Sequence, residues 1–92
     1  MTYDIRNNEQ HSRFEAVVDG HVAFTEYTLE PGSITFTHTV VPAELGGRGI
    51  GNQLAQNALD HAREKNLKVI PACSFVAGFV RKHPEYEDLL SK

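Results

Sequence analysis

The segment that joins the third predicted strand to the first predicted helix constrains the fold most. It runs from Val40-Val41-Pro42 through a glycine-rich stretch that ends in Gly49-Ile50-Gly51. Glycines let backbone N–H groups approach a ligand closely, and a helix start adds unpaired donors and the positive end of the helix dipole. Strand, loop and helix start together predict a phosphate-binding site. A glycine-rich connection without a ligand is the structural alternative.

Alternating apolar and polar residues before this loop predict an antiparallel meander. Its strands are Arg13–Val18, His21–Leu29 and Ser33–Val41. Asp19-Gly20 and Pro31-Gly32 are typical of the tight turns that connect such strands. A short edge strand is expected at Tyr3–Arg6.

The pattern changes period after the loop. Ile50, Leu54 and Ala58 recur every four residues, which predicts a helix from Ile50 to near Lys65, with Asn66 as a left-handed stop. The remaining elements are a buried strand at Leu67–Pro71, a helix capped by Ser74 and a final turn at Pro84–Leu90. The order β-β-β-α-β-α predicts the α+β class, with a mixed, mostly antiparallel sheet in a single domain over residues 1–92. The helical crossover makes the last strand parallel to the third.

Composition disfavours several classes of function. The net charge is −3 and no Lys/Arg cluster forms, which disfavours nucleic-acid binding. No apolar run is long enough to span a membrane, and the start Met1-Thr2-Tyr3-Asp4 does not resemble a signal peptide. A single cysteine fits a reducing cytoplasm, and the scattered histidines predict no metal site. With 92 residues the core is small, so a monomer or a homodimer is expected.

Two common nucleotide-binding patterns are absent from the glycine loop. A Walker A loop requires Gly-Lys followed by Ser or Thr, and none follows here. The stretch Gly46-Gly47-Arg48-Gly49-Ile50-Gly51 also differs from the dinucleotide fingerprint G-x-G-x-x-G. The phosphate compound therefore has to be sought among other ligands.

A second segment gives the loop a family context. The chain continues with Val69-Ile70-Pro71-Ala72-Cys73-Ser74-Phe75-Val76 and then Arg81-Lys82-His83-Pro84-Glu85-Tyr86. The strand, loop and helix resemble motif A of the GNAT superfamily of acetyl-CoA-dependent N-acyltransferases, written Q/R-x-x-G-x-G/A. Together with the Pro-x-Cys-Ser segment, they resemble its small single-domain branch. Gly46 stands where that motif has Gln or Arg.

The resemblance implies a GNAT-like fold with a site for acetyl-CoA. The pyrophosphate would lie on the backbone amides of the loop, and the pantetheine arm would enter a gap between strands 33–41 and 67–71. The implied ligand-binding residues are Val40, Val41, Gly46, Gly47, Arg48, Gly49, Ile50, Gly51, Ser74 and Tyr86. Arg48 would add charge or remain solvated. Tyr86 would protonate the departing CoA thiolate, or else pack against Leu89 and Leu90.

Two residues are candidates for catalysis. Cys73 lies beside a predicted helix start, which lowers a thiol pKa, so it could accept the acetyl group or line the acyl pocket. A small buried hydrophobic residue is the alternative. His38 is predicted on the same strand face as Ile34, Phe36 and Val40. It would be either a hydrogen-bonded core residue or a general base toward an amine or Cys73. Glu26 is a weaker candidate base.

The function predicted from these features is that of an acetyl-CoA-binding N-acetyltransferase. Its acceptor would be an amine on a small molecule or a protein, reached directly or through Cys73. Ordinary GNAT enzymes carry additional N-terminal helices that build the acceptor pocket, and this chain has none. The alternative is therefore a non-catalytic acyl-CoA-binding or interaction module, and a structural domain without a ligand is a third.

Overall fold

The computed structural model describes residues 3–90, which form a five-stranded sheet, two helices and two 3-10 turns. In chain order the elements are β1 (Arg6–Asn8), β2 (Arg13–Val18), β3 (His21–Glu30), β4 (Ser33–Val40), a 3-10 turn (Ala43–Leu45), α1 (Ile50–Glu64), β5 (Lys68–Pro71), α2 (Ser74–Lys82) and a 3-10 turn (Pro84–Leu89). The strands lie side by side in the order β1-β2-β3-β4-β5. Met1, Thr2, Ser91 and Lys92, which the predicted single domain also includes, lie outside the described residues.

The sheet confirms the predicted α+β class. The pairs β1–β2, β2–β3 and β3–β4 are antiparallel, and β5 runs parallel to β4. The parallel pair is connected through α1, as the helical crossover requires. Asn66, with φ 57°, has the left-handed conformation predicted for the residue that stops α1.

Helix α1 covers one face of the sheet, here called the helix face. Its buried side chains include Leu54, Leu59 and three alanines, which allow the helix to lie close to the strands. They pack against buried strand residues such as Phe14 and Ile34. The opposite side, here called the outer face, carries the alternate strand residues, namely Val17, Val22, Phe24, Glu26, His38 and Val40.

The edge strand was predicted too early in the chain. Strand β1 pairs with β2 through Arg6–Asn8, whereas the sequence suggested Tyr3–Arg6. Tyr3 contacts α1 instead, because its backbone N–H donates to Oε1 of Gln53 at 2.9 Å. Tyr3 therefore contacts the helix before the edge strand begins.

A β-bulge at Thr37 reverses the facing of the end of β4. Glu26 pairs with His38 and Tyr27 with Phe36, which leaves Thr37 without an opposite residue. An extra residue moves every following side chain to the other face. Phe36 is therefore buried on the helix face, while His38 points to the outer face. The prediction that His38 shares a face with Ile34 and Phe36 is wrong, because alternation alone does not reveal the bulge.

Helix α2 begins one residue earlier than its predicted cap implies. Cys73 is the N-cap residue, with φ −86° and ψ 128°, and no side chain caps the helix. The Cys73 N–H donates to the Phe36 carbonyl oxygen at 2.8 Å, which holds Cys73 extended beside β4. Ser74 is thus the first helical residue, and its predicted role as the cap is wrong.

Candidate functional site

The glycine loop adopts a backbone that depends on two of its glycines. Gly47 and Gly49 have φ values of 78° and 77°, in the left-handed region where a Cβ atom is strained. Gly49 is the N-cap residue of α1, so the turn delivers the chain directly into the helix. The loop is anchored at both ends by Leu45 and Ile50, which are fully buried.

The start of α1 is suited to an anion. The first N–H groups of a helix have no intrahelical acceptor, and they lie at the positive end of the dipole. The first turn of α1 carries no acidic residue that would oppose a negative ligand. The helix start thus has the geometry that a phosphate site requires, and the site itself stays a prediction.

A pocket of about 290 Å³ lies in front of this helix start. It is lined by Val41, Leu45, Gly46, Gly47, Gly49, Ile50, Gly51, Asn52 and Phe75. It therefore brings together six of the predicted ligand-binding residues. Leu45, Asn52 and Phe75 were not predicted, and only the position of Asn52 in the first helical turn could have indicated it.

Arg48 lies within the glycine loop and Val40 lies shortly before it, but neither residue lines this pocket. The Arg48 guanidinium pairs with the Asp19 carboxylate at 3.0 Å across to the β2–β3 turn. The Val40 side chain lies on the outer face and is partly exposed. The loop therefore contributes its glycines to the pocket wall, and the Arg48 charge does not line it.

Phe75 lines this pocket and also a second one. Its ring lies so close to Gly51 that a Cβ there would stand 2.6 Å from Cζ of the ring. The second pocket has a volume of about 260 Å³. It is lined by Asn52, Ser74, Phe75, Gly78, Phe79, Lys82 and His83. Ser74 is thus placed in the second pocket, not in the first.

Strands β4 and β5 separate near the first pocket, as the resemblance implied. Their pairing ends at Phe36 and Pro71, and the chain then leaves through Cys73 into α2. The last residues of β4 pair with β3 on one side only. The open edge of β4 leads from Thr37 toward Val41, which lines the pocket.

Cys73 lies at this open edge with a free, largely buried thiol. Its Sγ donates to Oγ1 of Thr39 at 3.3 Å. Burial raises the pKa of the Cys73 thiol, but the Thr39 hydroxyl and the backbone N–H groups of Val76 and Phe75 outweigh burial. The pKa of the Cys73 thiol is therefore below its ordinary value. Such an environment favours a nucleophilic thiolate.

Thr39 connects Cys73 to a buried hydroxyl that the sequence did not suggest. The Oγ1 atoms of Thr39 and Thr25 lie 3.1 Å apart, and Thr25 is fully buried. Thr39 takes this helix-face position because of the bulge at Thr37. A β-branched strand residue gives no sequence signal for such a contact.

His38 lies on the opposite side of β4 from Thr39. Its Nδ1 is 3.5 Å from Oε1 of Glu26, and its side chain is 72% exposed. The two candidate bases of the sequence analysis therefore form one exposed pair on the outer face. Because the Cys73 thiol donates to Thr39, on the other side of β4 from His38, His38 and Cys73 do not form a direct pair in this structure.

Tyr86 lies away from the glycine loop. Its hydroxyl donates to Oδ1 of Asp60 at 2.7 Å, and its ring packs near Phe79 and Arg63. Burial, with the Asp60 carboxylate beside it, raises the pKa of Tyr86 to about 12. Asp60 is ten residues beyond the start of α1, or about 15 Å along the helix. Tyr86 lines neither pocket.

The described part of the chain contains neither a candidate metal cluster nor a candidate membrane-spanning helix. Within residues 3–90, no three His, Cys, Asp or Glu side chains cluster closely enough to hold a metal ion. None of the helices described there is long and apolar enough to cross a membrane.

The separated parallel strands and the glycine loop before α1 define a GNAT-like domain, and comparison with known proteins gives the same class. The family model for GCN5-related N-acetyl-transferases matches residues 13–89. The chain belongs to this family.

Relatives of known sequence and structure cover most of the chain. It is 37% identical over 84 residues to protein NATD1 of Mus musculus, covering 91% of this chain and 76% of that protein. For protein NATD1 of Homo sapiens the identity is 32% over 84 residues, covering 91% and 74%. The NMR solution structure of a GCN5-like protein from Staphylococcus aureus superposes with a TM-score of 0.76 at 34% identity, covering 97% of this chain and 88% of that one.

Proposed function

We propose that this protein binds acetyl-CoA at the glycine loop and transfers the acetyl group to an amine. The observation that carries the proposal is the pocket of about 290 Å³ in front of α1, which is lined by the backbone of the loop. Family membership supports a CoA thioester as the ligand. The backbone N–H groups of residues 46–51 would bind the pyrophosphate, and the open edge of β4 would pair with the pantetheine amides.

Cys73 is proposed as the first acceptor of the acetyl group. Its thiolate would attack the thioester carbonyl carbon, forming a new thioester as the bond to the CoA sulfur breaks and CoA leaves as the thiolate. The lowered pKa of Cys73 and its place at the open edge of β4 support this role. An amine would then attack the acetyl-cysteine, giving an amide and restoring the Cys73 thiolate.

His38 is proposed as the base for the amine. An attacking amine must lose a proton, and the imidazole of His38 could take it while Glu26 stabilises the resulting charge at 3.5 Å. The pair lies on the outer face, so the amine would approach from there. The same base would serve direct transfer from acetyl-CoA, in which Cys73 only lines the acyl pocket.

Mass spectrometry and an amine assay test the proposal together. Intact protein incubated with acetyl-CoA and quenched in acid should carry one acetyl group, which Cys73→Ala should lack. Transfer to a panel of primary amines should accompany it. Amine transfer at the wild-type rate by Cys73→Ala would instead establish direct transfer.

A non-catalytic acyl-CoA-binding or interaction module is the second candidate. It is favoured by the outer face, where Val17 and Val40 are 64% and 43% exposed and no described helix forms an acceptor pocket. Acetyl-CoA binding without an acetyl-cysteine and without transfer to any amine would support the module. No binding at all would contradict both candidates.

The proposal also includes the acceptor, the oligomeric state and the cellular location of the protein. The acceptor is a small-molecule or protein amine, and the protein acts as a monomer or a homodimer. A cytoplasmic location agrees with the free thiol of Cys73, since reducing conditions preserve it. Sedimentation of the purified chain with and without acetyl-CoA distinguishes the two oligomeric states.

A further inference from the structure

We infer that Thr39 and Thr25 form a hydrogen-bond relay that orients the Cys73 thiol and stabilises its ionised form. Thr39 is thus a positioning residue for Cys73, and Thr25 acts through Thr39. The relay concerns the chemistry of the thiol itself. Only its consequence for acetyl transfer rests on the proposed function.

The three side chains are connected by two consecutive polar contacts. Cys73 Sγ lies 3.3 Å from Thr39 Oγ1, which lies 3.1 Å from Thr25 Oγ1. Thr25 has no exposed surface, and a buried hydroxyl must be hydrogen-bonded to avoid a desolvation cost. Thr39 is therefore held from one side by Thr25 and contacts the thiol on the other.

The relay can serve both protonation states because hydroxyl hydrogens rotate. With a neutral thiol, Cys73 donates to Thr39 and Thr39 donates to Thr25. When the thiol loses its proton to solvent, the Thr39 hydroxyl turns to donate to the thiolate and Thr25 donates to Thr39. No proton passes between the threonines, and the hydrogen bond between Thr39 and Thr25 is kept in both states with its direction reversed. A hydrogen bond to a charged acceptor is stronger than one to a neutral acceptor, so the exchange favours the thiolate.

The β-bulge makes this contact possible. Without the extra residue Thr37, alternation along β4 would place His38 on the helix face. The bulge thus assigns adjacent residues of one strand to different tasks. Thr39 faces the thiol, and His38 faces the outer surface where an amine could approach.

Alkylation of the single cysteine by iodoacetamide tests the relay without any acetyl-CoA. In this reaction the thiolate displaces iodide, so the rate follows the ionised fraction of Cys73. The alkylation rate is measured as a function of pH, over a range centred on the ordinary thiol pKa of about 8.5. Thr39→Val keeps the side-chain shape and removes the hydroxyl. This variant should move the inflection of the pH–rate profile upward by about one pH unit and slow alkylation at neutral pH about tenfold.

The companion variants separate positioning from folding. Thr39→Ser should restore the wild-type profile, and Thr35→Val, the same change on the outer side of β4, should leave it unchanged. Thr25→Val should give a smaller upward shift alone and none when added to Thr39→Val. If Thr39→Val unfolds, Thr39→Ala provides the same test.

A wild-type inflection in a folded Thr39→Val or Thr39→Ala variant would overturn the relay. So would a failure of Thr39→Ser to restore the profile. If the predicted shifts appear but acetyl-CoA never acetylates Cys73, the relay stands and the proposed transfer through Cys73 fails. The two inferences are therefore distinguished by separate measurements.

Discussion

The Phe75 ring of α2 lies across Gly51 in the first turn of α1, where a Cβ atom would stand 2.6 Å from Cζ. This contact joins the two helices at the pocket in front of the glycine loop, and Phe75 forms one of its walls. Gly51→Ala would require the ring to swing aside, at little cost because its far end is free to move. Ala is also the better helix former.

We therefore expect Gly51→Ala to keep its thermal stability and to bind acetyl-CoA more weakly. Gly78→Ala is the matched control, since the nearest atom to its added Cβ is 3.7 Å away on the Arg81 side chain. Calorimetric titration of both variants measures the difference. Equal affinities would show that the position of the Phe75 ring has no part in binding.

Gly49→Ala should affect both folding and binding. Its φ of 77° is unfavourable for a side chain, so the free energy of unfolding should fall by about 1 kcal/mol. Gly32 has a φ of 80° at the β3–β4 turn, and Gly32→Ala should cost a similar amount. Only Gly49→Ala should also weaken acetyl-CoA binding, because it moves the helix start. Denaturant titration and calorimetry of the pair measure both effects. If Gly32→Ala also lost affinity for acetyl-CoA, the weaker binding of Gly49→Ala would be a consequence of lower stability alone.

His38→Ala should separate the two half-reactions. Formation of acetyl-cysteine should continue, since Cys73 contacts Thr39 rather than His38. Transfer to an amine should slow roughly a hundredfold through loss of the base. His21→Ala is the control, because His21 also lies near a carboxylate, with Nδ1 4.0 Å from Oε1 of Glu44. Single-turnover assays with preformed acetyl-cysteine give the rates. Unchanged release to amines in His38→Ala would remove His38 from the mechanism.

Tyr86 should make stability depend on alkaline pH. Its pKa is raised to about 12 in the folded protein, above the ordinary tyrosine value of 10.0. The unfolded chain therefore loses this proton first, and the contribution of Tyr86 to stability is full below about pH 10 and declines as pH rises toward 12. The loss should be on the order of 2 kcal/mol.

Tyr86→Phe should be less stable near neutral pH, because Asp60 loses its hydrogen bond, but it should lack this alkaline component. Urea titrations of both proteins at several pH values give the slopes. Identical slopes would exclude Tyr86 as their source. Acetyl-CoA affinity should be unaffected, since Tyr86 lines neither pocket.

The sequence predicted the elements whose local signals agree with their packing. Alternation and turn dipeptides located β2 and β3, and the four-residue spacing located α1 with its stop at Asn66. The glycine pattern indicated where the loop lies. The local backbone there requires positive φ at Gly47 and Gly49, which glycine adopts without strain.

The features that the sequence missed depend on contacts between distant segments. The bulge at Thr37 arises from pairing with β3, and it places His38 on the outer face instead of the predicted one. The N-cap at Cys73 depends on the hydrogen bond to Phe36 across the sheet. The Phe75 wall depends on the docking of α2 against α1. No local propensity encodes these contacts, and they determine the side chains around the thiol.

The most direct test of acetyl-CoA binding at the glycine loop is an NMR titration of the amide-labelled protein. We predict the largest amide shifts at Gly46, Gly47, Gly49, Ile50 and Gly51, with further shifts at Cys73. Amides near Tyr86 should shift little. No shift at saturating acetyl-CoA, or shifts centred away from the start of α1, would contradict the account.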